Sequence, residues 1–257
     1  VGLSAGRRPR HDRASCCHVL LKTIATGTVA LAYASAAGYP WGMHLALPLS
    51  LLPMSGMQSG AGGAPKIKLY THTACPFAQR VWLALEAAEI PFDKVDVNLY
   101  GVGGFDKARL RKVEASGGLE PKGYIPVMSI GEEVVRESSV CVQRVAELSA
   151  RLAGAASLLP EKPSVADALV AACDGLPKSS SSRQLDVMLK KADAACTDAA
   201  FLAGSTFSIA DACLLPFLQR VEDDIPSELV HLRAYMDRAH KLAAFSRTVV
   251  PSWWWWW

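Results

Sequence analysis

Cys75-Pro76-Phe77-Ala78-Gln79-Arg80 sets one thiol directly before a stretch that reads as the first turn of a helix. Unpaired N–H groups at a helix start carry about half a positive charge, which favours thiolate over thiol. Cys75 is therefore the candidate nucleophile. Its position predicts a pKa lowered from about 8.5 towards roughly 4–6, which lifts the anionic fraction at neutral pH from a few per cent to nearly all. A value lower still would blunt nucleophilicity. The expected donors to the sulfur are Thr73 and the N–H groups of Phe77 and Ala78, while His72 reads as a turn residue. The fourth motif position is Ala78, not a second cysteine, so any mixed disulfide on Cys75 must be resolved by a thiol from outside.

The elements that position this thiol follow from pattern. Lys66 to Thr71 alternates as a strand, with Ile67, Leu69 and Thr71 on one face and Lys66, Lys68 and Tyr70 on the other. Pro76 suits the first turn, where a missing N–H does no harm. Ala78, Val81, Trp82 and Leu85 then form a buried stripe running to about Ala88. Phe92 to Val97 reads as a second strand, completing a βαβ unit. Residues 99–124 are glycine-rich and hold at most one short charged helix, around Phe105 to Val113. Ile125 to Ile130 and Glu133 to Arg136 read as a hairpin, with Pro126 placed where a ladder donor is dispensable. A helix opens at Glu137-Ser138-Ser139 with the stripe Cys141, Val145, Leu148 and Leu152.

From about Pro160 the pattern is helical throughout. One helix is marked by Leu185, Met188, Leu189, Ala192, Cys196 and Ala199, a second by Ile209, Cys213, Phe217 and Val221, and a third by Leu229, Leu232, Tyr235, Met236, Ala239 and Leu242. Ser179 to Ser182 reads as a solvated loop, and Ser208-Ile209-Ala210-Asp211 has capping-box form. The fold class is a thioredoxin-like α/β part followed by an all-α part.

The chain has 257 residues, 51% hydrophobic and 20% charged, an ordinary globular composition. Its formal charge of +3 is concentrated in residues 1–64, which carry net +4 and leave −1 for the rest. No basic surface remains to hold nucleic acid. Residues 1–64 read as a leader: a basic stretch, an apolar run from Val19 to Ala34, small residues at Ala34-Ser35-Ala36, and an acid-free stretch rich in Gly, Ala, Ser and Met. Two readings stay open, a signal-then-transit organelle address or a start at Met54 or Met57 with a cytoplasmic product. Lys22 in the apolar run argues against a stable membrane span. Of seven cysteines, Cys16 and Cys17 lie in the leader, and Cys141, Cys173, Cys196 and Cys213 sit at apolar helical positions as small core residues. No pair has metal-ligand spacing, so no metal is expected.

Three motifs in order, CPFAQRVWLAL at Cys75 to Leu85, IPVM at Ile125 to Met128 with ESS at Glu137 to Ser139, and FSIADACLLPFLQR at Phe207 to Arg220, carry a resemblance. The chain resembles the glutathione transferase family over residues 66–245, in the cysteine-type branch of omega, lambda and dehydroascorbate reductase-like members. The resemblance implies that Pro126 is a cis-proline turning the Ile125 backbone outward to pair with glutathione. It also implies that Glu137 and Ser138 hold the γ-glutamyl end, with carboxylate at a helix N-terminus. Phe77, Ile125, Pro126, Glu137, Ser138 and Lys122 make up the glutathione-binding set. Tyr100 falls where many omega members place a lysine for the glycine end, leaving Lys107, Arg109 and Lys122 as substitutes.

The implied organisation is a leader over 1–64, a glutathione-binding domain over 65–153, a helical substrate domain over 160–246, and a tail over 247–257 ending in Trp253 to Trp257. The implied activity is glutathione-dependent thiol transfer or dehydroascorbate reduction, with glutathione as co-substrate and a mixed disulfide on Cys75. Alternatives are a conjugating transferase, for which Tyr70 is a second candidate, and a non-catalytic binding or chloride-intracellular-channel-like relative. The partners expected are glutathione and a small disulfide, dehydroascorbate or an electrophile, in a monomer or homodimer, either cytoplasmic or in a plastid or other organelle.

Overall fold

Ile67 and Leu69 of the first strand, β1 (Ile67–Thr71), are almost completely enclosed, and so is Tyr70 at 7% exposure. Both faces of β1 are therefore covered, including the one that carries Tyr70 beside the lysines. The computed structural model describes residues 65–101, 103–176 and 182–249. The leader readings, Cys16, Cys17, Ser179 to Ser181 and Trp253 to Trp257 lie outside the described residues.

After β1 come helix α1 (Pro76–Ala87), β2 (Asp93–Asn98), the two-residue β3 (Phe105–Asp106), α2 (Lys107–Ser116), the hairpin β4 (Val127–Ile130) and β5 (Glu133–Arg136), and α3 (Ser138–Ser149). The sheet order is β3-β2-β1-β4-β5, with β2 parallel and β4 antiparallel to β1. The parallel β1-α1-β2 unit is the βαβ expected from pattern. β3, too short to leave a periodic signal, pairs in parallel with β2 through Val97 and Phe105. α2 caps the second face of the sheet, where Tyr70, Val97, Leu110 and Val127 form a small separate core. Asp106 accepts from Arg109 N–H at 3.0 Å to start α2. The Ile125–Pro126 peptide is cis.

The rest is helical: α4 (Pro163–Asp174), α5 (Ser182–Ala195), α6 (Ile209–Leu218), a short 3₁₀ stretch over Gln219–Asp224, α7 (Val230–Ala239) and α8 (Ala243–Thr248). α6 opens on the capping box read from Ser208 to Asp211. The stripe extended to Val221 breaks at Leu218 instead, since Val221 has non-helical backbone angles (φ −121°, ψ 16°). α4 and α8 were not legible. The buried stripe of α4 is Ala166, Leu169 and Cys173, mostly small residues, and α8 has only six residues. One apolar core runs from β1, α1 and α3 through α4 to α8, so the two parts share an interior.

Candidate active site

Cys75 occupies the N-cap of α1, with extended backbone (φ −87°, ψ 114°). Its N–H donates to the His72 carbonyl at 3.0 Å and its own carbonyl accepts from Gln79 N–H at 3.0 Å, which fixes the thiol at the turn. His72 stabilises that turn through Nδ1, which accepts from Ala74 N–H at 3.2 Å. Among the five described cysteines only Cys75 reaches solvent in part; the other four are buried. Burial pushes the Cys173 thiol up to about 11 and those of Cys141, Cys196 and Cys213 up to about 12. Cys75 is thus the reactive candidate by exposure alone.

Its electrostatics differ from the expectation drawn from the helix start. Burial is the largest influence and raises the Cys75 thiol above its ordinary value; hydrogen bonds from the Ala78 and Phe77 N–H groups and the charges of Arg220 and Arg80 act the other way without overcoming it. The two N–H donors are those the sequence points to. The desolvation was not visible, because burial is a property of the folded chain and leaves no local pattern around Cys75. A thiol with a higher pKa forms less anion, yet each anion is the stronger nucleophile.

A buried polar layer built on Gln79 and Arg80 of α1 ties this helix to the helical part. Arg80 is completely enclosed. Its Nε donates to Cys213 O at 2.9 Å, its Nη1 to Ser138 Oγ at 3.3 Å and to Asp174 Oδ1 at 2.5 Å, and its Nη2 to Cys173 Sγ at 3.2 Å. The guanidinium also lies over the rings of Phe77 and Phe217, at 5.2 and 4.7 Å from their centroids. Gln79 Nε2 donates to Gln219 Oε1 at 3.0 Å and to Thr248 O at 2.8 Å, while its Oε1 accepts from Arg220 Nη1 at 2.7 Å. None of these roles was read from the sequence. Gln79 and Arg80 fall outside the apolar stripe Ala78, Val81, Trp82 and Leu85, so nothing local marked them as buried.

Beside this layer is a cavity of about 280 Å³ lined by Phe77, Lys122, Tyr124, Ile125, Pro126, Arg136, Glu137 and Ser138. All six residues of the expected glutathione-binding set line it; Cys75 itself does not, and Phe77 follows it by two residues in the chain. Glu137 takes a left-handed φ of 67° as N-cap of α3 and makes no side-chain cap bond, a strained conformation for a non-glycine residue of the kind that concentrates at ligand sites. Arg136, Tyr124 and a support for the cavity loop were missed. Glu114 of α2, fully enclosed, accepts from Gly123 N–H at 2.6 Å through Oε2 and lies 3.7 Å from Arg136 Nη1. Arg136 Nη1 in turn donates to Glu120 O at 2.7 Å.

Lys107 and Arg109 sit in the first turn of α2 and do not line the cavity. Tyr100 is 86% exposed and packs edge-on to His72. Tyr70 stacks on Phe105 at 5.0 Å, on the α2 side of the sheet, so the fold does not bring it to the cavity. Among the described residues no cluster of His, Cys, Asp or Glu has metal-binding form, and no helix is long and apolar enough to cross a membrane.

A thioredoxin-like sheet that offers one cysteine at its first helix, joined to an all-helical part, defines a class of single-thiol proteins. Comparison with known proteins names the family. The model for "Glutathione S-transferase, N-terminal domain" matches residues 74–148 and that for "Glutathione S-transferase, C-terminal domain" matches residues 183–238, together just over half of the chain. The chain belongs to the glutathione S-transferase family. It is 27% identical over 189 residues to "Probable glutathione S-transferase DHAR2, chloroplastic" of Oryza sativa subsp. japonica, covering 68% of this chain and 65% of that protein, just under two thirds. It is 27% identical over 188 residues to "Glutathione S-transferase DHAR3, chloroplastic" of Arabidopsis thaliana, covering 68% of each. Among solved structures, glutathione transferase Omega 2C from Trametes versicolor matches with TM-score 0.56 at 22% identity over 74% of this chain and 96% of that one. A rice glutathione transferase in complex with glutathione matches with TM-score 0.57 at 19% identity over 74% and 93%. These structures share the fold.

Proposed function

We propose that the protein is a glutathione-dependent thiol transferase of dehydroascorbate reductase type, in which Cys75 forms a mixed disulfide with glutathione. The observation that carries the reading is the part-exposed thiol at the start of α1, the only one among the described residues, two residues along the chain from a residue lining a cavity that Lys122, Ile125, Glu137 and Ser138 also line. The DHAR designation of its relatives supports the same reading, and their chloroplastic label supports a plastid address for residues 1–64. Residues 65–153 form the glutathione-binding domain in this account and 160–246 the domain for the second substrate.

In the first step the Cys75 thiolate attacks the glutathione sulfur of a small mixed disulfide. The Cys75–glutathione S–S bond forms, the substrate S–S bond breaks, and the other thiol leaves as thiolate and takes up a proton. With dehydroascorbate, the Cys75 thiol and one glutathione thiol together supply two electrons and two protons, giving ascorbate and the same protein mixed disulfide. A second glutathione thiolate then attacks the glutathione sulfur, releasing the Cys75 thiolate and oxidised glutathione. The protein's task is to hold glutathione's carboxylate at the N-terminus of α3, near Ser138, and its backbone along Ile125, so that its sulfur meets Cys75.

Conjugation of an electrophile needs a hydroxyl beside glutathione's own thiol, and a cysteine in that place favours the disulfide instead. The test is a paired assay of the full chain and a Cys75→Ser variant against hydroxyethyl disulfide, dehydroascorbate and a chlorinated aromatic electrophile. Loss of the first two activities in the variant supports the reading. Their retention, or conjugation as the dominant activity of the parent, removes it.

A further inference from the structure

We infer that Arg220 is a positioning residue for the Cys75 thiol, supplied by the helical part of the chain: its guanidinium grips the turn that carries the sulfur and sets a positive charge beside it. Arg220 lies in the 3₁₀ stretch after α6. Its Nη2 donates to the carbonyl of Ala74, the residue before the nucleophile, at 3.3 Å. Its Nη1 donates to Gln79 Oε1 at 2.7 Å, one helical turn beyond the nucleophile, and to the carbonyl of Pro216. The side chain therefore spans the Cys75 turn from both sides.

Two observations separate this from a packing role. Gln79, which receives Arg220, is itself anchored to Gln219 and to the Thr248 carbonyl of α8, so the guanidinium is held from 3₁₀ stretch, α1 and α8 together. Burial also pushes Arg220 down to about 10, with Cys75 the influence that acts against it. A desolvated cation kept ionised next to a nucleophilic thiol is an arrangement that favours the thiolate. The other groups around the sulfur are the Phe77 and Ala78 N–H groups and Arg80 on α1, His72 in the turn, and Lys122, Arg136 and Glu137 around the adjoining cavity.

The experiment follows alkylation of Cys75 by iodoacetamide across pH in the full chain, read by mass analysis of the Cys75 peptide, in the parent, Arg220→Gln and Arg220→Lys. Removing this cation moves the thiol up by about 1 unit, so near neutral pH the thiolate fraction falls about tenfold in Arg220→Gln and the alkylation rate, offset by the stronger nucleophilicity of each anion, about threefold. Arg220→Lys restores most of the curve because it restores the charge. Thermal melting is recorded alongside, and where Arg220→Gln does not fold, Gln79→Met serves, since it releases the guanidinium without removing it and moves the curve up by about half a unit. A curve unmoved in the variant that folds, or moved equally by Arg220→Gln and Arg220→Lys, overturns the inference and leaves Arg220 as a structural tie. The inference rests on Cys75 as the reacting thiol, but alkylation needs no glutathione. A Cys75 whose titration follows Arg220 yet never takes up glutathione defeats the proposed function and spares this one.

Discussion

Arg80→Met is the perturbation whose size the structure sets most clearly. Methionine keeps much of the apolar volume and removes the charge with its donors to Cys213 O, Ser138 Oγ, Asp174 Oδ1 and Cys173 Sγ. Breaking a buried ion pair by removing one partner costs about 3–5 kcal/mol. Asp174 is 35% exposed, however, so water can take over part of its solvation and the pair's share falls to about 1–3 kcal/mol. The buried Cys213 carbonyl loses its guanidinium donor, adding about 1–2 kcal/mol, and stacking on Phe77 and Phe217 adds roughly 0.5–1 kcal/mol. The expected loss is about 3–5 kcal/mol, a large share of the 5–15 kcal/mol typical of a folded domain. Urea denaturation followed by tryptophan fluorescence and circular dichroism measures it, with Asp174→Asn and the double variant completing a cycle whose coupling should reach about 1–2 kcal/mol. A loss under about 1 kcal/mol, or no coupling, refutes the view that Arg80 ties the sheet part to the helical part.

Five further outcomes follow from particular residues. Asp211 is fully enclosed and accepts from Leu202 N–H, Ser208 N–H, Ser208 Oγ–H and Tyr235 Oη–H, so Asp211→Ala should cost about 4–6 kcal/mol in urea denaturation, several times more than Ser208→Ala. Burial raises its carboxyl pKa in the folded chain; that contribution is fully present below the unfolded value and fades as pH climbs through the folded one, so the stability gap between parent and Asp211→Asn should narrow from about pH 4 upward. Gly117→Ala would place a Cβ 2.3 Å from Val134 Cβ, which cannot swing aside, and thermal melting should show about 1–3 kcal/mol lost. Lys122→Met, which removes a cation from the cavity wall, should raise KM for glutathione about tenfold with kcat little changed. Because burial lifts the Cys75 thiol, its alkylation rate should still be climbing at pH 8; a plateau below pH 7 would show the helix start and the two arginines winning instead.

Legibility in the sequence followed locality. The placement of Cys75, the βαβ unit, the hairpin and the α6 capping box rest on signals within a few residues, and each is found where the pattern put it. Six of the eight residues that line the cavity came instead from the resemblance, since nothing local marks Ile125 or Glu137 as part of a cavity wall. Tyr70 was misjudged because alternation cannot reveal that α2 covers the second face. The lowered thiol pKa was misjudged for a related reason: the helix start is a local signal, whereas the depth to which the folded chain buries the thiol is not. Glu114 escaped notice as one acid in a basic helix, although it fixes the loop before Pro126.

The central claim is that Cys75 is the sulfur that carries glutathione. Treating the full chain with oxidised glutathione and mapping the adduct by mass spectrometry tests it most directly. The account predicts one added glutathionyl group, on Cys75, absent from Cys141, Cys173, Cys196 and Cys213 and removed by reduced glutathione. An unmodified Cys75, or an adduct that reduced glutathione cannot displace, would contradict it.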